Sequence, residues 1–179
     1  MILIAYDVRR YREILNSIVK NGDTVIEIGP HMGEGTKLYA PRTKLTIAVD
    51  KGMQAETAFI KLQETFVNLR FVKGDARNFD TIKKVTRLTK NCDVLAVDMG
   101  GGRFPDTVFK VWAVWSGVFK PKNSIIRNRG IGEFLQKAKV DDESIRMEFP
   151  DDGWLSKWGR TVPYKLKKQM EEFEFWVDV

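Results

Sequence analysis

Five short apolar runs, Thr24–Ile28, Leu45–Asp50, Leu69–Val72, Val94–Val97 and Ser124–Arg127, alternate with segments whose apolar residues recur at helical spacing. Runs of this length suit strands better than helices, and their near-continuous apolar character suits strands covered on both faces. The segments between and after them predict helices over Gly35–Ala40, Met53–Phe66, Phe79–Leu88, Pro105–Trp115 and Ile131–Ala138. Parallel strands need such crossover helices to bring the chain back to the same end of the sheet. The expected fold is therefore α/β: a doubly wound, mostly parallel sheet with helices on both faces.

The two ends of the chain depart from this rhythm. Arg9–Val19 sets Tyr11, Ile14, Leu15, Ile18 and Val19 on one helical face, with Asp7 as its cap. Residues 1–22 accordingly read as a helical extension to a core of residues 23–179, all in one domain. Near the other end, Ile145–Phe149 and Phe173–Val177 alternate apolar with polar residues, which predicts an antiparallel C-terminal strand. The irregular stretch between them carries Trp154 and Trp158, suited to a lid, a stacking surface or an oligomer contact.

Composition excludes several functions. The longest apolar runs, such as Ile2–Ala5, are too short to span a bilayer, and no secretory signal is recognisable, so a cytoplasmic protein without membrane association is expected. A single cysteine, Cys92, rules out an internal disulfide, and with one histidine, His31, no metal centre is expected. Cys92 opens its strand and reads as a buried thiol. The net charge of +6 is compatible with an anionic partner such as RNA, and a homodimer is compatible with the composition too.

In open parallel sheets, ligands bind beyond the carboxyl ends of the strands. Four acids stand at or near those ends: Glu27, Asp50, Asp75 and Asp98. After the first strand the chain runs Gly29-Pro-His-Met-Gly33-Glu-Gly35, which lacks both the dinucleotide glycine spacing and a P-loop ending. Pro30 has no N–H to offer a phosphate and Glu27 would repel one, which also opposes a nicotinamide reductase. A cationic ligand suits these acids better. Glu27 would attract an ammonium or sulfonium centre, and Gly29 and Gly33 would let backbone approach the ligand closely.

These residues resemble the class I S-adenosylmethionine-dependent methyltransferases, a Rossmann-like family, over roughly residues 21–127. Glu27-Ile-Gly29-Pro-His31-Met-Gly33 looks like the family's acid-and-glycine motif, with His31 where the middle glycine usually stands. The resemblance implies that S-adenosylmethionine is the cofactor. It implies that Asp50, with Lys51 beside it, holds the ribose, that Asp75 and Ala76 read adenine, and that His31 packs on the cofactor. Asp98 would lie beside the transferred methyl group and orient the acceptor or take its proton. Arg127, Asn128 and Arg129, at the end of the fifth strand, would bind an anionic substrate. The acceptor is left open between RNA and an anionic small molecule. Because of His31, a non-catalytic binding module of the same fold, RNA-associated or regulatory, stands as the alternative.

Overall fold

A computed structural model of the chain describes residues 1–141 and 149–155. Among the described residues, six strands, β1 (Ile2–Ala5), β2 (Thr24–Ile28), β3 (Leu45–Asp50), β4 (Leu69–Lys73), β5 (Val94–Val97) and β6 (Asn123–Arg127), form one sheet in the order β1-β6-β5-β2-β3-β4. All five pairings are parallel. The order reverses between β2 and β5, so loops from both halves meet above those two strands. The segment expected to supply an antiparallel strand, Phe173–Val177, lies outside the described residues, as does most of Ile145–Phe149. The edge beside β6 is taken by β1.

That edge strand changes the reading of the N-terminus. The helix is present as α1 (Val8–Ile18), capped by Asp7, whose carboxylate accepts the Arg10 N–H at 2.9 Å. Ahead of it, however, Ile2–Ala5 pairs with Ser124–Arg127, so residues 1–22 contribute a strand as well as a helix. Four apolar residues at a chain end carry no periodicity that separates an edge strand from a loose terminus; the partner strand decides.

The remaining helices are α2 (Thr36–Tyr39), α3 (Met53–Thr65), α4 (Phe79–Thr86), α5 (Pro105–Phe119) and α6 (Arg129–Lys137). Strand alternation sorts them onto two faces. Ile26, Ile28, Ile47, Val49, Leu95, Val97 and Ile126 point toward α4, α5 and α6. Val25, Val94, Ala96 and Ile125 point toward α1 and α2, and Ala48 toward α3. Helix α5 runs past the expected stop at Trp115 because Phe119 is buried one turn later, and Lys120 then ends it in a left-handed conformation. Trp112 and Trp115 are core residues, as their helical spacing indicates. Cys92 is buried, and burial pushes its thiol well above the ordinary range. Among the described residues, no helix is long and apolar enough to cross a membrane.

Residues 149–155 dock under the sheet. Gly153 donates to Pro121 O at 3.0 Å, and Trp154 lies against Lys120, whose ammonium is 3.8 Å from the ring centroid. Both contacts precede β6, at the amino ends of the strands. Trp154 is therefore no lid over the carboxyl ends, while Trp158 lies outside the described residues. The Ser124 hydroxyl joins this segment to the core, accepting from Trp112 Nε1 at 2.9 Å and donating to the Gly153 carbonyl. Ser124→Ala strands a buried indole N–H, so chemical denaturation should show a loss of about 1–3 kcal/mol.

Candidate active site

A cavity of about 680 Å³ opens above the carboxyl ends of β2, β3, β5 and β6, within the size range of small-molecule sites. Its walls include Glu27, Gly29, His31, Asp50, Lys51, Asp75, Ala76, Asp98 and Arg127. Of the residues anticipated from sequence, Gly33, Asn128 and Arg129 do not line it.

Glu27 faces α1 and α2 because it shares strand parity with Val25 and aligns with Ala48 and Ala96. It is 2% exposed. Its Oε2 accepts from the Thr36 hydroxyl and from the Tyr39 hydroxyl, each at 2.6 Å. Burial holds its carboxyl above the usual range, against the pull of those two bonds. Oε1 accepts no hydrogen bond from the described residues. The Tyr11 hydroxyl is buried beside Glu27 and lines the same cavity; burial and the neighbouring Glu27 carboxyl hold its pKa well above the ordinary range, and its contact with Glu27 is too long or poorly aligned to count as a formed hydrogen bond. A hydroxyl held this loosely keeps hydrogen-bonding capacity for a ligand group in the cavity.

The loop after β2 is drawn inward. Gly29 N–H donates to Val49 O at 2.9 Å, His31 N–H to Asp50 Oδ2 at 3.3 Å and Gly33 N–H to Pro30 O at 2.9 Å. Gly29 has a φ of +76°, and a Cβ there would lie 2.1 Å from the Asp98 carbonyl oxygen. Gly33 is confined from another side, since a Cβ would meet Leu62 at 2.6 Å and Phe59 at 3.2 Å. It is needed where the loop packs on α3, not at the cavity. His31 adopts φ +53°, the left-handed conformation that a glycine would take without strain, and its side chain is exposed at the cavity wall.

Asp50 closes β3 with its carboxylate fixed by two amides, Gly52 N–H at 2.8 Å and that of His31. A carboxylate has about four acceptor positions, so half of its capacity remains for a ligand. Asp75 differs. It accepts from Arg77 N, Nε and Nη2 at 3.0, 2.9 and 2.5 Å, and from Lys51 Nζ at 3.3 Å. The Arg77 bonds, with Lys51 adding to them, hold its carboxyl far below the usual range. Reading an amine with Asp75 requires one of these exposed cations to swing aside. The Ala76 carbonyl accepts from Trp115 Nε1 at 2.8 Å, which fixes the Asp75–Ala76 turn against α5.

Asp98 follows β5, and its Oδ1 accepts from Arg127 Nε at 2.6 Å with both side chains almost buried. Burial raises the Asp98 carboxyl above its ordinary value even though Arg127 pulls it down. Arg127 is thus engaged by Asp98 and faces the cavity as half of an ion pair. Asn128 is fully buried; its Oδ1 caps α6 through Ile131 N–H at 2.9 Å, and its Nδ2 donates to Arg103 O at 2.8 Å. Only Arg129 of this trio is exposed. The sequence reading missed Tyr11, Arg12, Arg103 and Phe104, all of which line the cavity. A tyrosine on the apolar face of a helix, at a level set only by the sheet, gives no sign of its neighbour Glu27. Gly100-Gly-Gly-Arg-Phe104-Pro did carry a signal, a permissive backbone next to an aromatic residue.

Neither a protein-family model nor a curated protein matches this sequence. Solved structures do. An rRNA methylase from Streptococcus thermophilus superposes with a TM-score of 0.54 at 13% identity, over 75% of this chain and 81% of that one. A dimethyladenosine transferase from Plasmodium falciparum gives 0.54 at 20% identity, over 79% of this chain and 49% of that one. The fold is that of the class I methyltransferases. Fibrillarin from Aeropyrum pernix, solved with natively bound S-adenosyl-L-methionine, matches at a TM-score of 0.49 and 18% identity, over 62% of this chain. The chain spans about half the length of fibrillarin (48%) and of the transferase (49%). Glu27, Asp50, Asp75 and Asp98 all line the cavity at the strand ends of this fold.

Proposed function

We propose that this chain is an S-adenosylmethionine-dependent methyltransferase whose acceptor is RNA or an anionic small molecule. One observation carries the reading: the amides of Gly29, His31 and Gly33 are engaged within the protein while Glu27, Asp50 and Asp98 line the cavity. A diphosphate would find few N–H donors on that loop and the carboxylates of Glu27 and Asp50 flanking it. A sulfonium nucleoside with an ammonium group finds acceptors. The lone pairs left on Asp50 suit the ribose hydroxyls, the Ala76 N–H suits the adenine edge, and Glu27 Oε1 with the Tyr11 hydroxyl suits the ammonium end. S-adenosylmethionine supplies, when bound, a methyl group on a positively charged sulfur that an acceptor displaces in line.

The chain's own contribution is to position the acceptor and handle its proton. Asp98 has Oδ1 fixed by Arg127 and Oδ2 open to hydrogen-bond an acceptor N–H or O–H. Its raised pKa brings it closer to the range in which it can take that proton.

Calorimetric titration with S-adenosylhomocysteine tests the proposal. Wild type should bind, and NADH should give no heat. Asp50→Asn keeps the side-chain shape but removes the charge, so affinity should fall about 10- to 150-fold, the value of one charge-assisted hydrogen bond. Tight NADH binding, or an Asp50→Asn titration that overlays wild type, defeats the assignment.

A further inference from the structure

A second surface adjoins the cavity where β1, β5 and β6 end. Tyr6, directly after β1, is 60% exposed, and Phe104, at the start of α5, is 58% exposed. Each ring has a guanidinium at its face: Arg129 Cζ lies 5.5 Å from the Tyr6 centroid and Arg103 Cζ 5.7 Å from that of Phe104. The two pairs are joined. The Arg103 carbonyl accepts from Asn128 Nδ2, next to Arg129, and a Cβ on Gly102 would meet Arg127 at 3.5 Å and Arg129 at 3.6 Å. Phe104 also holds a left-handed conformation (φ +57°, ψ +62°), unfavourable for a bulky residue, with its ring laid over Gly100. Burial does not account for that strain, since most of the ring faces solvent.

The charge here is positive. Among the described residues, no carboxylate lies within ion-pairing distance of Arg12, Arg103 or Arg129. Arg9 and Arg10 add to the rim, although both pair with Glu13. Two carboxylates stand against these cations, Asp7 capping α1 and Asp106 in the first turn of α5.

We propose that Tyr6 and Phe104, with Arg103 and Arg129, form a platform on which single-stranded RNA lies, leading an unpaired base to Asp98. The identity of the methyl acceptor in this proposal rests on the reading of the cavity given above; the platform itself does not. Aromatic faces stack on any unpaired base, while the guanidinium groups meet the phosphates that link bases together. A free small anion would have no use for two separated rings. A duplex hides its base faces from such a surface, and RNA is the nucleic acid that ordinarily presents unpaired, splayed bases in loops and at ends.

The test is fluorescence anisotropy of the full chain with labelled oligoadenylate, the same strand in duplex, and oligodeoxyadenylate, at several salt concentrations. Wild type should prefer the single RNA strand. Tyr6→Ala and Phe104→Gly should each weaken it about 5- to 150-fold, the range for loss of one stacked base. Arg129→Ala should flatten the log–log salt dependence by about 0.7. Phe104→Gly should also raise the melting temperature as the left-handed strain is relieved, so its loss of RNA cannot be laid to misfolding. S-adenosylhomocysteine titrations of Tyr6→Ala and Arg129→Ala, which lie outside the cavity wall, separate the two proposals. Both variants should bind the cofactor as wild type does; in wild type, cofactor binding without RNA binding overturns the platform alone, and RNA binding without cofactor binding overturns the methyltransferase reading alone. Equal affinity for the duplex or for the DNA strand, or ring variants that bind like wild type, also overturns the platform.

Discussion

Arg127→Ala is expected to lower stability by about 3–5 kcal/mol at neutral pH, because it leaves Asp98 charged, nearly buried and without its partner. For a domain of this size that is a fall of roughly 6–20 °C in melting temperature. The sign of the pH dependence follows from the direction of the Asp98 shift. Its carboxyl already titrates above the ordinary value through burial, and losing the Arg127 hydrogen bond pushes it higher. The folded variant then holds its proton more tightly than the unfolded chain does. A group shifted this way contributes stability that is fully present below the unfolded pKa and is lost as pH rises through the folded one. The deficit of Arg127→Ala relative to wild type should therefore shrink on acidification from neutral pH toward the ordinary carboxyl range. Urea unfolding of both proteins across that interval measures it. A deficit that stays constant or grows would mean that Asp98 is not the group left exposed to the change. Asp98→Asn should stabilise the Arg127→Ala background, since it removes the unpaired charge.

Gly29→Ala should cost about 2–5 kcal/mol, the sum of the left-handed conformation, about 1–2 kcal/mol, and overpacking against backbone, about 1–3 kcal/mol. Relaxation is blocked from two sides. The Gly29 N–H is bonded to Val49 O on β3, and the neighbouring Ile28 carbonyl accepts the Asp98 N–H at 2.9 Å on the β5 side. The atom in the way is the Asp98 carbonyl oxygen, which cannot turn aside as a side chain would. Gly101→Ala is the control: φ is +64° there too, but nothing lies within 4 Å of the added methyl. Its cost should stop at the conformational part. Thermal denaturation of the two variants separates backbone strain from collision, and equal melting temperatures would show that the approach of β2 to β5 is looser than described.

The layered fold was legible because it depends on periodicity alone. Strands β2 to β6 appear within a residue or two of the apolar runs that predict them, and the strand-end acids follow from counting to the end of each run. The same arithmetic places Glu27 on the face opposite Ile26 and Ile28. It does not reveal that Tyr11, Thr36 and Tyr39 wait on that face, since these belong to helices whose height above the sheet is set by packing.

Two glycines show where reading by motif falls short. Gly29 and Gly33 look alike in sequence, and both have positive φ. Gly29 is required by the Asp98 carbonyl beside the cavity and Gly33 by Phe59 and Leu62 away from it, a distinction made by what surrounds each Cα. Arg127, Asn128 and Arg129 divide in the same way. Consecutive residues leaving a strand point in different directions, so one pairs with Asp98, one caps α6 and one reaches solvent.

By itself the sequence determined a parallel sheet wrapped by helices and a row of acids at one end of it, because alternation and helical spacing are local properties of the chain. Only the tertiary structure decided which of those acids keep free lone pairs, that an N-terminal strand closes the sheet beside β6, and that Tyr6 and Phe104 share a rim with unpaired arginines. Those outcomes depend on contacts between residues far apart in the chain, and side-chain direction and burial are fixed only once the strands have been set in order.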